Sequence, residues 1–382
     1  MLKRWKNEQI EADPARAQTL DASWYLDPAV YELELDRIFA CTWQPACKLR
    51  DVAIIGDYIT TDAAGEPIVV TRDTNNRIRA YYNVCPHRAG AVARGQGNRK
   101  SLQCAYHGWT FGLDGCLMNT PYFFEVENFN LADFNLREIR VDTWGPYVFV
   151  NLDDGARPLG DWWGDEFDRS RGINWDEWKL VDEREYRIDV NWKVYMDNYA
   201  EGYHVATAHP GLHREMSLDD LYVDTYRFHS TQRAEIKPPY VGNPYKRRYI
   251  NPQPGDAIRY HVLFPNFMID DYPDNLSTNI VKPLGHDKIV LKFDWWFKND
   301  APAAMMESMI EFADQVQHED IAICDDVQRN LRSRAYNTGR FSGRYENGVH
   351  HFHALVHAFI NSQSVPGFSR PVSVSSNGVS TP

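Results

Sequence analysis

Long apolar runs are missing from this chain. No stretch reaches the roughly 18 apolar residues that a membrane-spanning helix requires, and Met1 to Ile10 is charged where a signal peptide would be apolar. The expectation is a cytoplasmic, reducing setting with no membrane partner. Cysteine is scarce, 6 residues in 382. That excludes a disulfide framework and turns attention to the thiols as metal ligands. Positive charge is short as well: 41 Lys and Arg stand against 53 Asp and Glu, a formal net charge of -12. A surface of that sign excludes nucleic acid as an expected partner. No internal repeat is present.

The chain is long enough for two or more cores, and its pattern divides into four parts. Residues 1–40 read as an N-terminal helical segment packing on the later domain, with Asp27-Pro28 opening an apolar stripe of Val30, Leu33, Ile38 and Phe39. Residues 41–155 are β-rich, with strand candidates at 54–58, 67–71, 77–82 and 147–150. A loose acidic segment at 153–172 leads into a third part, 156–360, that mixes strands with helices. Its strand candidates are 185–190, 222–227, 257–264, 276–282 and 288–297, and its long helices 301–332 and 348–360. Residues 361–382 form a Ser-, Pro- and Gly-containing tail with little to bury. The expected class is α+β, a β-rich domain followed by an antiparallel sheet with helices.

The stretch 191–210 holds His204 and His209 five residues apart, with Glu201 three before His204 and Pro210 just after His209. Read as a helix, the i, i+3 step keeps Glu201 and His204 on one face. Paired imidazoles suit a divalent metal once a third ligand arrives from elsewhere. The competing reading is a polar helix face carrying surface histidines.

Cys85-Pro86-His87 and Cys104-Ala105-Tyr106-His107 make the most specific pattern in the chain: C-x-H, sixteen residues, C-x-x-H. A zinc finger sets two cysteines in one knuckle and two histidines in the other. Here each knuckle carries one of each, which suits a [2Fe–2S] cluster of Rieske type, two thiolates on one iron and two imidazoles on the other. Cys41, Cys47, Cys116 and Cys324 read as small apolar fillers. His350, His351 and His353 have no spaced carboxylate and read as packing and capping at a helix start.

These knuckles, followed by Asn191-Trp192-Lys193 and by Glu201-x-x-His204-x4-His209, resemble the α subunits of Rieske non-haem iron oxygenases. The resemblance runs over nearly the whole chain, from Trp24-Tyr25-Leu26-Asp27-Pro28 to His350-His351-Phe352-His353. Residues 264–268, 283–285 and 319–329 look most like the branch that oxidises choline, glycine betaine and carnitine. It implies that Cys85, His87, Cys104 and His107 bind the cluster and that His204, His209 and Asp320 bind a mononuclear Fe(II). Asp320 also lies on a helical pattern beside apolar Val316, Ile321 and Ile323, where a buried carboxylate needs a cation. Asp325 and Asp326 are its rivals. Glu201 matches the acid that carries electrons between the two centres.

The function so implied is a terminal oxygenase that takes electrons from a separate NAD(P)H-dependent reductase and uses O2 to hydroxylate a small substrate. A quaternary or N-methylated ammonium compound is expected, glycine betaine- or carnitine-like, with N-demethylation or C–N cleavage as the outcome. The spacing from Glu201 to His204 is one residue shorter than in choline-type relatives, which disfavours choline. One alternative is ring oxidation of an aromatic acid. Another is a Rieske electron carrier, which would have no use for His204, His209 and Asp320 together. Relatives of this kind are commonly homotrimers. Tyr203, Tyr260, Phe264, Phe267, Tyr272, Trp295, Trp296 and Phe352 are candidates for an ammonium cage, against the reading that they pack the core.

Overall fold

The computed structural model describes residues 10–164, 174–216, 218–236 and 257–361. The expected tail and much of the expected linker lie outside them. Contacts divide the chain into two compact units: one starts at Leu35 and takes in the described residues up to Gly164, and the other joins residues up to Glu34 with those from Asn174 onward. Among the described residues no helix is long and apolar enough to cross a membrane.

The unit that starts at Leu35 is built of short antiparallel strands: β1 (Gln44–Lys48), β2 (Asp57–Ala63), β3 (Glu66–Arg72), β4 (Ile78–Tyr82), β5 (Gln96–Asn98), β6 (Ser101–Gln103), β7 (Thr110–Gly112), β8 (Leu117–Asn119), β9 (Glu138–Trp144) and β10 (Tyr147–Asn151). They form a seven-stranded sheet in the order β1-β10-β9-β4-β3-β2-β5 and a three-stranded sheet β6-β7-β8. Alternation along β3 and β4 sorts two cores onto the two faces of the larger sheet. Ile68, Val70 and Ala80 pack with Val148 and Val150, whereas the cross-strand pair Val69 and Tyr81 faces Cys85, Cys104, Trp109 and Phe111. The strand expected at 54–58 starts at Asp57 instead. Gly56 turns the chain at φ 96°, leaving Ile54 and Ile55 exposed before it. Of the four cysteines expected as fillers, Cys324 is buried and Cys41 and Cys47 are partly so. Cys116 is exposed, because it sits in the turn between β7 and β8.

The other unit carries β11 (Trp178–Ile188), β12 (Tyr222–Thr225), β13 (His229–Glu235), β14 (Ala257–Leu263), β15 (Phe267–Asp271), β16 (Asn275–Gly285) and β17 (Lys288–Lys298). These form one antiparallel sheet in the order β11-β17-β16-β15-β14-β13-β12. The helix Ala303–Asn330 packs on β11 and on the helix Trp192–Tyr199, and the helix Asn347–Asn361 packs on β12 and β13.

Asn191-Trp192-Lys193 anchors this arrangement. The Asn191 side chain caps its helix by accepting from the Lys193 amide at 3.0 Å, and its own amide group donates to the His286 carbonyl at 2.7 Å. Trp192 Nε1 donates to Glu34 Oε2 at 2.7 Å, and Lys193 Nζ meets Glu34 Oε1 at 2.6 Å, with both charged side chains fully buried. Burial is the largest influence on both charges, lifting Glu34 and lowering Lys193 from their ordinary values. The pair therefore fixes the N-terminal segment in place at a desolvation cost that only the intact pair offsets. Lys193→Met is expected to destabilise the protein by about 3 to 5 kcal/mol, read by chemical denaturation. Adding Glu34→Leu is expected to recover most of that loss. Equal stability of Lys193→Met and the unmodified chain would contradict this role.

Candidate metal centres

Two loops of the β-rich unit are built alike. The carbonyl of each cysteine accepts the amide four residues on, Ala89 N to Cys85 O at 2.9 Å and Gly108 N to Cys104 O at 3.0 Å. Each cysteine amide donates to the carbonyl five residues on, at Gly90 (2.8 Å) and Trp109 (2.9 Å). Asn83 pins the first loop by accepting from the Val92 and Ala93 amides and donating to the Ala93 carbonyl, each at 3.0 Å. The loops lie so close that a Cβ on Gly90 would stand 2.7 Å from Cys104 Sγ, so glycine is required there.

The donors then separate by depth. Cys85 and Cys104 are buried in the core with Trp109, whereas His87 is half-buried and His107 exposed. The two imidazoles meet edge to face at 4.6 Å, and His87 stacks on Trp109 at 4.7 Å. Burial is the largest cause raising the Cys85 thiol, with Cys104 adding to it. Burial and then the charge of His107 lower His87, which favours the neutral imidazole. Two buried thiols beside two imidazoles are the donor set that a mixed-ligand [2Fe–2S] cluster uses.

In the second unit, the helix expected through His204 and His209 is broken. Trp192–Tyr199 ends at Ala200, Val205–Ala208 has His204 before it and His209 after it, and Pro210–His213 follows. The cause is Glu201. Its carboxylate turns back to accept the Tyr203 and His204 amides, the latter at 3.1 Å. A continuous helix would give those donors to the carbonyls of Tyr199 and Ala200. Pro210, which has no amide proton, makes the second break. Both histidines thus occupy helix ends.

The break aims both rings at one point. His204 Nε2 lies 3.2 Å from His209 Nε2, which lies 2.9 Å from Asp320 Oδ1 on the helix Ala303–Asn330. Behind the rings, His204 Nδ1 meets Glu201 Oε1 at 2.5 Å and His209 Nδ1 meets Glu319 Oε2 at 2.7 Å. A carboxylate behind each Nδ1 fixes the tautomer that turns the Nε2 lone pair inward. Ligand-capable atoms of His204, His209 and Asp320 all lie within 4.8 Å of one another, the only such group of three among the described residues. Burial pulls His209 down, but Asp320 and Glu319 outweigh it and raise it above its ordinary value, so the site draws positive charge. Asn198 Nδ2 donates to Asp320 Oδ1 at 2.7 Å. Asp325 and Asp326 are exposed, and Asp326 pairs with Arg329. His353 instead joins the core, bonded to Asp197 at 2.9 Å and to the Leu20 amide at 3.2 Å.

A cavity of about 100 Å³ opens beside this set, lined by Tyr199, Tyr260, Tyr272, Phe293 and Asp270. Of the expected cage only Tyr260 and Tyr272 line it. Phe264, Phe267, Trp295, Trp296 and Phe352 are buried, and they do not line this cavity. Tyr203 is 60% exposed and stacks on Tyr345. Sequence reasoning missed Tyr199 and Glu319; the signal for Glu319 was an acid adjoining Asp320 while His209 still needed an Nδ1 acceptor. Glu319→Gln is expected to weaken metal binding at this set by about 10- to 100-fold, measured by titrating iron into the metal-depleted chain. Unchanged affinity would remove Glu319 from the site.

Comparison with known proteins places these observations. Residues 42–130 match the Rieske [2Fe-2S] domain, and residues 175–362 match the ring hydroxylating alpha subunit catalytic domain. The chain is 35% identical to a chloroplastic choline monooxygenase of Arabidopsis thaliana, covering 90% of this chain and 83% of that protein. It is 30% identical to a carnitine monooxygenase oxygenase subunit of Escherichia coli (strain K12), covering 91% and 96%. Among solved structures, the quaternary ammonium Rieske monooxygenase CntA with L-carnitine superposes with a TM-score of 0.78 at 28% identity, over 92% of this chain and 99% of that one. The chain belongs to the Rieske oxygenase α subunits, oxidoreductases whose cofactors are a [2Fe–2S] cluster and a mononuclear iron.

Proposed function

We propose that this chain is a terminal oxygenase that hydroxylates a quaternary or N-methylated ammonium compound with electrons from a separate NAD(P)H-dependent reductase. The observation that carries the reading is the cavity beside His204, His209 and Asp320, walled by tyrosines and holding the Asp270 carboxylate. Aromatic faces and a carboxylate attract a cation, and a benzoate-like acid would meet Asp270 as a like charge. The relatives named for choline and carnitine support the same class.

Cys85, His87, Cys104 and His107 would hold the cluster, and His204, His209 and Asp320 the iron. When bound, these groups supply single electrons and a site for O2 activation. The protein's part is placement. Glu201 and Glu319 hold the imidazoles in register, Asn198 orients Asp320, and the tyrosines position the substrate nitrogen so that a C–H bond on a carbon attached to it faces the metal set. Hydroxylation of a carbon on nitrogen gives a carbinol that loses its hydroxyl proton and breaks the C–N bond, releasing amine and aldehyde.

Glu201 is assigned to electron delivery. It borders the substrate cavity and also a second cavity of about 240 Å³ lined by Asp197, Cys324, Glu346 and His353. One carboxylate reaching His204 from between two openings suits a relay. The electron would come from a neighbouring copy in a homotrimer, as inter-subunit electron transfer is described for the carnitine-oxidising relative. The test is reductase-driven turnover of N-methylated ammonium compounds against aromatic acids, read by mass. Ammonium products are expected, and turnover of aromatic acids alone would overturn the reading. At iron concentrations that keep the mononuclear site filled, Glu201→Gln is expected to retain a reducible cluster while single-turnover product formation falls by orders of magnitude. Product at the unmodified rate would remove Glu201 from the path.

A further inference from the structure

The wall of the cavity carries two buried amides that the fold leaves half bonded. Gln317 and Asn279 both line it, and they are 3% and 0% exposed. Gln317 lies on the helix Ala303–Asn330, one turn before Asp320 and on the same face. The Tyr195 hydroxyl donates to its Oε1 at 2.7 Å, which leaves Nε2 over. Asn279 lies on β16. Its Nδ2 donates to Asp270 Oδ2 at 3.1 Å, which leaves Oδ1 over. Among the described residues, neither Gln317 Nε2 nor Asn279 Oδ1 has a hydrogen-bond partner. One helix face holds both amides. Tyr195 bonds Gln317 directly, and Tyr199, one turn on, donates at 2.5 Å to the Asp270 carboxylate that fixes Asn279. A buried donor or acceptor without a partner is costly. These two sit in the wall of the space that a ligand would occupy, so the ligand is what can satisfy them.

One leftover donor and one leftover acceptor match a hydroxyl, which accepts and donates through a single oxygen. A carboxylate only accepts, so it would satisfy Gln317 and set its lone pairs against Asn279 Oδ1. An alkyl chain satisfies neither. We propose that Gln317 and Asn279 are specificity-determining residues that hold a hydroxyl of the ammonium substrate, Gln317 donating to its oxygen and Asn279 accepting from its O–H. The inference rests on the ammonium reading above and narrows it to hydroxyl-bearing ammonium compounds. It divides the compounds expected from the sequence, because carnitine carries a hydroxyl and glycine betaine carries none. Gln317 stands one turn from Asp320, so the held hydroxyl also registers the rest of the substrate against the metal set.

The experiment is calorimetric titration of the full-length, metal-loaded protein with matched probes. Choline and ethyltrimethylammonium differ by one hydroxyl, and so do carnitine and γ-butyrobetaine. Choline methyl ether keeps the oxygen without its O–H, and 3,3-dimethylbutan-1-ol keeps the hydroxyl but replaces nitrogen with carbon. In whichever pair binds, the hydroxyl compound is expected to be roughly tenfold or more tighter than its partner. The ether should fall close to ethyltrimethylammonium. Gln317→Met and Asn279→Leu are each expected to weaken the hydroxyl compound and bring the pair within about threefold, while the partner compound keeps its affinity. A merely structural role would weaken both members alike, and that result in a folded variant would remove the residue from the proposal. Equal binding within both pairs would overturn the hydroxyl selection, with water serving the two amides, and leave the ammonium reading standing. If a variant fails to fold, the pairs on the unmodified protein still decide the selection. The ether binding as tightly as choline would then remove Asn279, and an unchanged pair ratio in Tyr195→Phe would remove Gln317. The carbon isostere binding as tightly as the hydroxyl-bearing ammonium compounds, or no ammonium probe binding at all, would overturn the ammonium reading itself.

Discussion

Two imidazoles can turn their Nε2 lone pairs on one point only if something holds each ring from behind. Here that holding is done by two carboxylates, Glu201 on His204 and Glu319 on His209. Much of the second unit follows from it. Glu201 must reach His204 Nδ1 from three residues away, so it bends back over the backbone, takes two amides, and ends the helix. Glu319 can reach His209 only if the helix Ala303–Asn330 lies against the helix Trp192–Tyr199, which also delivers Asp320. Anchoring of Trp192 and Lys193 on buried Glu34 fixes that helix at its start. Gly202 leaves room for Leu221 beside this turn, since a Cβ there would stand 2.5 Å from Leu221 Cδ2.

The cluster unit solves a different problem, how to bring two thiols and two imidazoles together from separate loops. It does so by repeating one backbone turn twice and burying the sulfur side. Thiols in the core and imidazoles toward solvent would give the two irons of a bound cluster different surroundings. Gly90 and Asn83 are as necessary to this as the ligands, because one makes room for Cys104 and the other ties the loop shut.

What was legible in the sequence was what is local. The two knuckles and the pair His204 and His209 declare themselves by spacing, and the long helices and most strands by period. Asp320 lies 111 residues from His209, so spacing could not find it; the resemblance named it and its apolar neighbours Val316, Ile321 and Ile323 supported it, although the structure leaves Asp320 and all three of these only partly buried. The continuous helix at 191–210 was a misreading because i, i+3 spacing fits a carboxylate on a ring and equally one capping amides. The aromatic cage was the weakest reading. Adjacent Trp295 and Trp296 point to opposite faces of β17, yet both are buried, so aromatic content cannot tell a wall from a core. Asp270 and Tyr199 meet only after β15 and the helix Trp192–Tyr199 are packed, and nothing local announces that.

Each of these features presumes two separate metal centres in one chain, one in each unit. Counting iron against acid-labile sulfide in the purified protein tests that most directly. The unmodified chain should hold about three irons and two sulfides, and Asp320→Ala should hold about two of each with its Rieske absorption intact. A third iron retained in full by Asp320→Ala, or only two irons in the unmodified chain after iron loading, would contradict it.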